Sequence, residues 1–195
     1  MSHKILIIDG HPDPTGRHFV RELADFYRQG AKEGGHAVRL LRVSELRFPL
    51  LRNSKAYLSG KTPESIRAAQ KAIAWADHVV LLYPLWLGTM PARLKGFLEQ
   101  AMRPGFAFAE RGPGKRPKRL LTGRSARIIV TRGMPELFEE VDRSARSIRS
   151  VASDVLDLCG IRPVRTTVIE GAETLTAHEL DKVLYDLRRL GATAK

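Results

Sequence analysis

Side chains suited to holding an anion, His11, Thr15, Arg17 and His18, follow directly after an apolar run, Ile5-Leu6-Ile7-Ile8. The run reads as a strand and the residues from Arg17 onward as a helix. Asp9-Gly10-His11-Pro12-Asp13-Pro14-Thr15 is then a strand-to-helix loop. A helix N-terminus offers unpaired N–H groups and a partial positive charge, which suits a phosphate. Acidic residues normally favour a helix start, so Arg17 and His18 in the first turn point to an anion there. Gly10 and Gly16 stand apart, without the tight triplet of a dinucleotide-binding loop, and no Gly-Lys-Ser/Thr follows. Spacing alone leaves two readings open: a phosphate seat, or a capped helix whose Arg17 and His18 face solvent.

Two further loops carry chemistry. Pro84-Leu85-Trp86-Leu87-Gly88-Thr89-Met90 is unusually apolar for a connection, and connections normally run over the surface. It must cover something: a flat aromatic ring, a partner subunit, or simply the underside of the 104–123 excursion, and a lone tryptophan such as Trp86 is more often core than cofactor contact. Thr131-Arg132-Gly133-Met134-Pro135 holds a glycine that lets a ligand approach the backbone closely.

The elements that would position these loops alternate between strand and helix. Strands are expected at 5–8, 36–43, 78–83, 126–131 and 164–169. Helices are expected from 17 to 32, from 63 to about 75, from 91 to 101, along 141–156 and along 180–190. Residues 44–62 read as irregular, and 104–123 as a long glycine- and proline-rich excursion. The pattern predicts a single α/β domain over 1–195, an open, doubly wound sheet of five parallel strands with helices on both faces. Ligands bind such sheets at the carboxyl ends of the strands, where the strand order reverses. The loops at 9–16, 84–90 and 131–135 would meet there.

Composition narrows the classes. With 195 residues, 43% of them hydrophobic and 28% charged, the chain reads as globular. No stretch approaches the ~18 apolar residues of a membrane span, and the start resembles no signal peptide, so stable membrane insertion is not expected and a cytoplasmic location is. The single cysteine, Cys159, excludes an intrachain disulfide and a multi-cysteine metal site, and it reads as a buried packing residue. The net charge of +12 is concentrated: nine basic residues and one acid lie between Arg103 and Arg132. That stretch would attract a polyanion, or it is solvated loop charge. Nucleic acid is not expected, because Phe106 and Phe108 precede the main cluster instead of interleaving with it.

Four ordered blocks carry a family resemblance: Gly10-His11-Pro12-Asp13-Pro14; Tyr83-Pro84-Leu85-Trp86 with Met90-Pro91-Ala92-Arg93-Leu94-Lys95-Gly96-Phe97; Arg103-Pro104-Gly105-Phe106-Ala107-Phe108; and Leu120-Leu121-Thr122-Gly123 before Val130-Thr131-Arg132-Gly133. Over residues 3 to about 135 the chain resembles the flavodoxin-like NAD(P)H:quinone oxidoreductase family, that of DT-diaphorase, modulator of drug activity B and the potassium-efflux ancillary reductases. The resemblance implies a flavodoxin-like fold and a flavin, FMN or alternatively FAD. It also implies a homodimer, and two-electron transfer from NAD(P)H to a quinone or similar small-molecule acceptor. By resemblance, His11, Thr15, Arg17, His18 and Phe19 fall at the phosphate end of the flavin. Pro84, Leu85, Trp86, Leu87 and Gly88 fall along its ring, and Thr131, Arg132 and Gly133 at its polar edge, where backbone N–H groups would stabilise negative charge.

The chain departs from the family at informative places. Gly16-Arg17 stands where Ser-Phe is common, Leu87-Gly88 where a second aromatic often follows the tryptophan, and Thr131-Arg132-Gly133-Met134 where Thr-Thr-Gly-Gly is usual. The tyrosine and histidine that assist hydride transfer in DT-diaphorase have no counterpart between Pro135 and Ala145, so no catalytic side chain is assigned. The alternative within the family is a flavin-binding regulatory subunit of a membrane transporter. Arg116, Lys118 and Arg119 would suit the 2′-phosphate of NADPH.

Overall fold

Ile5 to Ile8 are at most 1% exposed, because a parallel strand covered on both faces has no solvent side. Their side chains alternate between two cores. Ile5 and Ile7 join Leu23, Tyr27, Leu184 and Leu187, while Leu6 and Ile8 join Ile66, Ile73, Leu94 and Phe97. The computed structural model describes residues 2–112, 114–133 and 143–194. In chain order the elements are β1 (Lys4–Asp9), α1 (Phe19–Glu33), β2 (Ala37–Arg42), α2 (Ser54–Ser59), α3 (Glu64–Trp75), β3 (His78–Pro84) and α4 (Ala92–Ala101). There follow β4 (Phe108–Ala109), β5 (Lys118–Arg119), β6 (Arg124–Thr131), α5 (Arg143–Ser150), β7 (Ile161–Ile169) and α6 (Ala177–Ala192). The main sheet has the order β2-β1-β3-β6-β7, and every pairing in it is parallel. Helices α1 and α6 cover one face, and α3, α4 and α5 the other. The open, five-stranded, doubly wound sheet expected from the sequence is the one observed.

Several elements differ from their expected form. Residues 44–62 are not wholly irregular: a 3-10 turn occupies Val43–Glu45, and α2 follows. At six residues α2 is too short to persist alone, and both its ends are held from outside the periodic pattern. The Asn53 side chain accepts the Ala56 N–H at its start, and Arg103 donates to the carbonyls of Ala56, Tyr57 and Gly60 at its end. The fifth strand of the main sheet begins at Ile161, before Val164, because β7 is an edge strand and an edge tolerates Pro163. Helix α1 begins at Phe19 with His18 as its N-cap, so Arg17 precedes the helix and does not belong to its first turn. Beyond α5, Val151–Asp157 continues as a π-helical turn. Val141, Met134 and Pro135 lie outside the described residues.

The basic stretch disperses on folding. Arg103 is buried on the α2 carbonyls, Arg119 pairs with Asp157 and Arg127 donates to Thr167 Oγ1. Arg124 donates to the Ile73 and Ala74 carbonyls, and Arg132 pairs with Glu170. The exposed cations that remain are Arg111, Lys115, Arg116 and Lys118, around the β4–β5 pair. That pair precedes the start of β6, and Leu121 N–H bonds the Cys159 carbonyl just ahead of β7. It therefore sits at the amino ends of the strands. The eight residues of β6, rising about 3.3 Å each, separate it by roughly 25 Å from the opposite ends of the strands.

At that amino end His78 is 1% exposed. Its Nδ1 lies 2.8 Å from Ser125 Oγ, and its Nε2 is buried without a partner among the described residues. Burial, reinforced by repulsion from Arg127, His3, Arg165 and His36, pushes the imidazole down to about 4 from an ordinary 6.5. The unfolded chain binds this proton at a higher pH than the folded one, so stability is full above pH 6.5 and falls as pH drops toward 4. The loss amounts to about 3 kcal/mol. Urea unfolding of the wild type and His78→Gln at pH 7 and pH 4 should show that increment only in the wild type; parallel losses would refute it.

Candidate functional site

The chain leaves β1 for β2 on one side and returns to β3 on the other, so the strand order reverses between β1 and β3. The three loops named from the sequence emerge there, at the carboxyl ends of β1, β3 and β6. Their contacts are direct. The His11 and Trp86 rings meet edge to face at 5.9 Å, and the Leu85 N–H bonds the Thr131 carbonyl at 2.9 Å.

The first loop is knitted by its own polar groups. Gly10 donates to the Leu82 carbonyl at 2.7 Å, bringing the backbone so close to α4 that a Cβ would lie 2.7 Å from Leu94 Cδ2 and 2.9 Å from that carbonyl. Asp9, 1% exposed, accepts the His11 N–H at 2.9 Å. The His11 Nδ1 accepts the Asp13 N–H at 3.3 Å, and Asp13 Oδ1 accepts both the N–H and the hydroxyl of Thr15 at 2.8 Å. Those two bonds lead in holding the Asp13 carboxyl down to about 2. His18 Nε2 lies 2.6 Å from the Thr15 carbonyl and 3.0 Å from Asp13 Oδ2, so it carries a proton. The His11 and His18 rings stack at 3.7 Å. Burial, then repulsion from His18, pushes the His11 imidazole below its ordinary value.

This arrangement separates the donors already committed from those available to a ligand. Both donors of Thr15 are taken by Asp13. Among the described residues no side chain caps α1, and the Arg21 and Glu22 N–H groups share the His18 carbonyl. The Phe19 and Val20 N–H groups are the amides that α1 itself leaves unbonded at its start, with the exposed Arg17 beside them. An anion fits that end.

The second loop is a tight turn: Trp86 and Thr89 exchange backbone hydrogen bonds of 2.8 and 3.1 Å. Both central residues are left-handed, Leu87 at φ 49 and Gly88 at φ 76. Glycine takes that conformation freely; leucine does not. Leu87 is nonetheless 96% exposed, and Trp86 is 49% exposed. Two apolar side chains are thus presented to solvent on a strained turn, beside His11 of the first loop. In the third loop Thr131 is buried, and the Arg132 N–H is taken by the Ile169 carbonyl. Its guanidinium lies 2.5 Å from Glu170. Of the Thr131–Gly133 amides expected at a ring edge, that of Arg132 is therefore committed within the chain, as are those of Leu85 and Trp86 in the second loop.

Each predicted site residue from His11 to Phe19, from Pro84 to Gly88 and from Thr131 to Gly133 thus lies at this one end of the sheet. Arg116, Lys118 and Arg119 lie at the other, beyond reach of the same chain's loops. Sequence reading missed Arg21, whose side chain turns back under the first loop. Its only signal was a third cation near the helix start.

The whole of residues 3–190 matches the family of proteins with a flavodoxin-like fold. A curated NAD(P)H oxidoreductase of Haemophilus influenzae, itself uncharacterised, is 36% identical over 111 residues, which are 55% of this chain and 54% of that protein. This chain thus spans about half the length of that relative. An FMN-dependent NADH:quinone oxidoreductase of Nitratidesulfovibrio vulgaris is 27% identical over 201 residues, covering 92% of this chain and 94% of its own. The solved NAD(P)H:quinone oxidoreductase of Methanothermobacter marburgensis superposes with a TM-score of 0.82 over 100% of both chains, at 23% identity, a likeness of fold.

The left-handed turn generates a prediction. Asparagine suits this turn type better than leucine, so Leu87→Asn should stabilise the flavin-free protein by roughly 0.5–1 kcal/mol and raise Tm by about 1–4 °C. Thermal unfolding checks it, and a lowered Tm would show that Leu87 is not strained.

Proposed function

The chain belongs to the flavodoxin-like fold family, and on that premise we propose that it is an FMN-dependent NAD(P)H oxidoreductase that reduces quinones or similar small acceptors. One observation carries the reading. An uncapped helix start beside Arg17 and an exposed apolar turn bearing Trp86 and Leu87 adjoin at the switch point of the sheet. That pairing suits a flat ring joined to a terminal phosphate. The two relatives whose names specify NAD(P)H or FMN support the same chemistry.

A flavin held there supplies two-electron transfer between NAD(P)H and an acceptor. The residues of this chain bind and orient. The Phe19 and Val20 amides and Arg17 would hold the phosphate, with His11 and His18 beside it. Trp86 and Leu87 would pack on the ring and exclude water from one side. The Leu87, Gly88 and Gly133 amides would be the donors available to a ring edge. No side chain is assigned a proton-transfer role. The proposal includes a cytoplasmic homodimer. Among the described residues, no helix is long and apolar enough to cross a membrane.

Purified protein should bind added FMN with absorbance near ~375 and ~450 nm, and mass analysis of the released flavin distinguishes FMN from FAD. Protein that ignores both would refute the reading. Steady-state NADPH or NADH oxidation with menadione separates an enzyme from a regulatory subunit, for which flavin binds and turnover is negligible.

A further inference from the structure

Beneath the first loop lies a charge pair that the functional reading does not use. Asp9 closes β1 with its carboxylate 1% exposed, and Arg21 projects to it from the first turn of α1. Arg21 Nε lies 3.6 Å from Asp9 Oδ2, and neither atom has another partner among the described residues. The rest of the guanidinium faces the loop: Nη1 donates to the Gly16 carbonyl at 3.0 Å and Nη2 to the Asp13 carbonyl. One planar cation thus binds the strand end and two separate points of the loop. Only arginine has donors in such a fork. A buried carboxylate in contact with a single cation is costly to leave alone, so the pair is held in place.

We infer that Arg21, anchored by Asp9, is a positioning residue that holds residues 10–18 in the shape that receives the flavin phosphate. It thereby sets the preference for a phosphorylated over a phosphate-free flavin. The inference rests on the flavin reading for its ligand but not for its mechanics. By tying down the Gly16 and Asp13 carbonyls, Arg21 fixes the loop against the start of α1, whose first amides are the ones left unbonded. Arg21 itself does not contact the phosphate, because its donors are directed at protein oxygens. Without it, Asp9 is left buried and unpaired, and the loop loses both carbonyl anchors.

The test has two arms, applied to the wild type, Arg21→Met, Arg21→Lys, Asp9→Asn and the Asp9→Asn/Arg21→Met double variant. In the first, hydrogen exchange on flavin-free protein should show faster exchange of the 10–18 amides in Arg21→Met, with β3 unchanged and Arg21→Lys intermediate. In the second, titration with FMN and with riboflavin should show FMN affinity falling on the order of tenfold in Arg21→Met while riboflavin affinity stays within about twofold. The double variant should lose no more than Arg21→Met, since both residues act through one pair. Unchanged exchange, or equal losses for both flavins, would overturn the inference. Additive losses would do so too, by making Arg21 a direct phosphate ligand. If the wild type binds neither flavin, the functional reading fails, and the exchange arm alone decides whether Arg21 positions the loop.

Discussion

Parallel pairing is the constraint on which the molecule depends. Five strands that all run the same way force every connection to cross the sheet from one end to the other. The chain therefore has two chemically different ends. The carboxyl ends of β1, β3 and β6 release the loops that carry His11, Trp86 and Gly133. The amino ends collect the returning segments, including the basic β4–β5 pair and the buried His78. No local rearrangement exchanges a residue between ends, since the central strands β1, β3 and β6 that carry the loops are buried on both faces. The separation of Arg116 and Lys118 from the start of α1 follows from this alone.

The same constraint explains why so many cations have structural partners. Crossing connections end helices near the sheet, and helix C-termini leave carbonyls without intrahelical partners. Arg103 fills that role for α2 and Arg124 for α3. Arg93 does the equivalent for the 3-10 turn, donating to the Val43, Ser44 and Leu46 carbonyls. A guanidinium suits these places because it presents several donors in one plane and stays charged. Much of what reads as a polyanion-seeking stretch is therefore internal hydrogen bonding.

At the carboxyl end the logic reverses. There the chain spends its own side chains on shaping a loop and leaves backbone amides unspent at the start of α1. Asp9 and Asp13 engage Arg21, His18 and amides of the loop itself, which leaves the exposed Arg17 beside the start of α1. The apolar turn at Leu87 costs backbone strain and exposed apolar area within the monomer. Such strain persists at sites where a ligand or partner uses it.

The five main-sheet strands and the flanking helices were legible because β1 and β3 are continuous apolar runs and α1 and α6 repeat at helical spacing. The location of the site was legible too, since the strand-end rule needs only element order. Sequence alone also determined that Gly10, His11, Trp86 and Gly133 fall on loops of one end. It did not reveal α2, whose caps, Asn53 and Arg103, stand fifty residues apart. Nor did it show that Thr15 donates to Asp13 instead of remaining free, that the Arg132 amide is taken by Ile169, or that Arg21 reaches Asp9. Hydrophobic patterning is written locally, residue by residue, and so it survives in the sequence. The partner of a polar group is chosen by proximity in three dimensions, and only the tertiary structure decides which donors are spent and which are left to act.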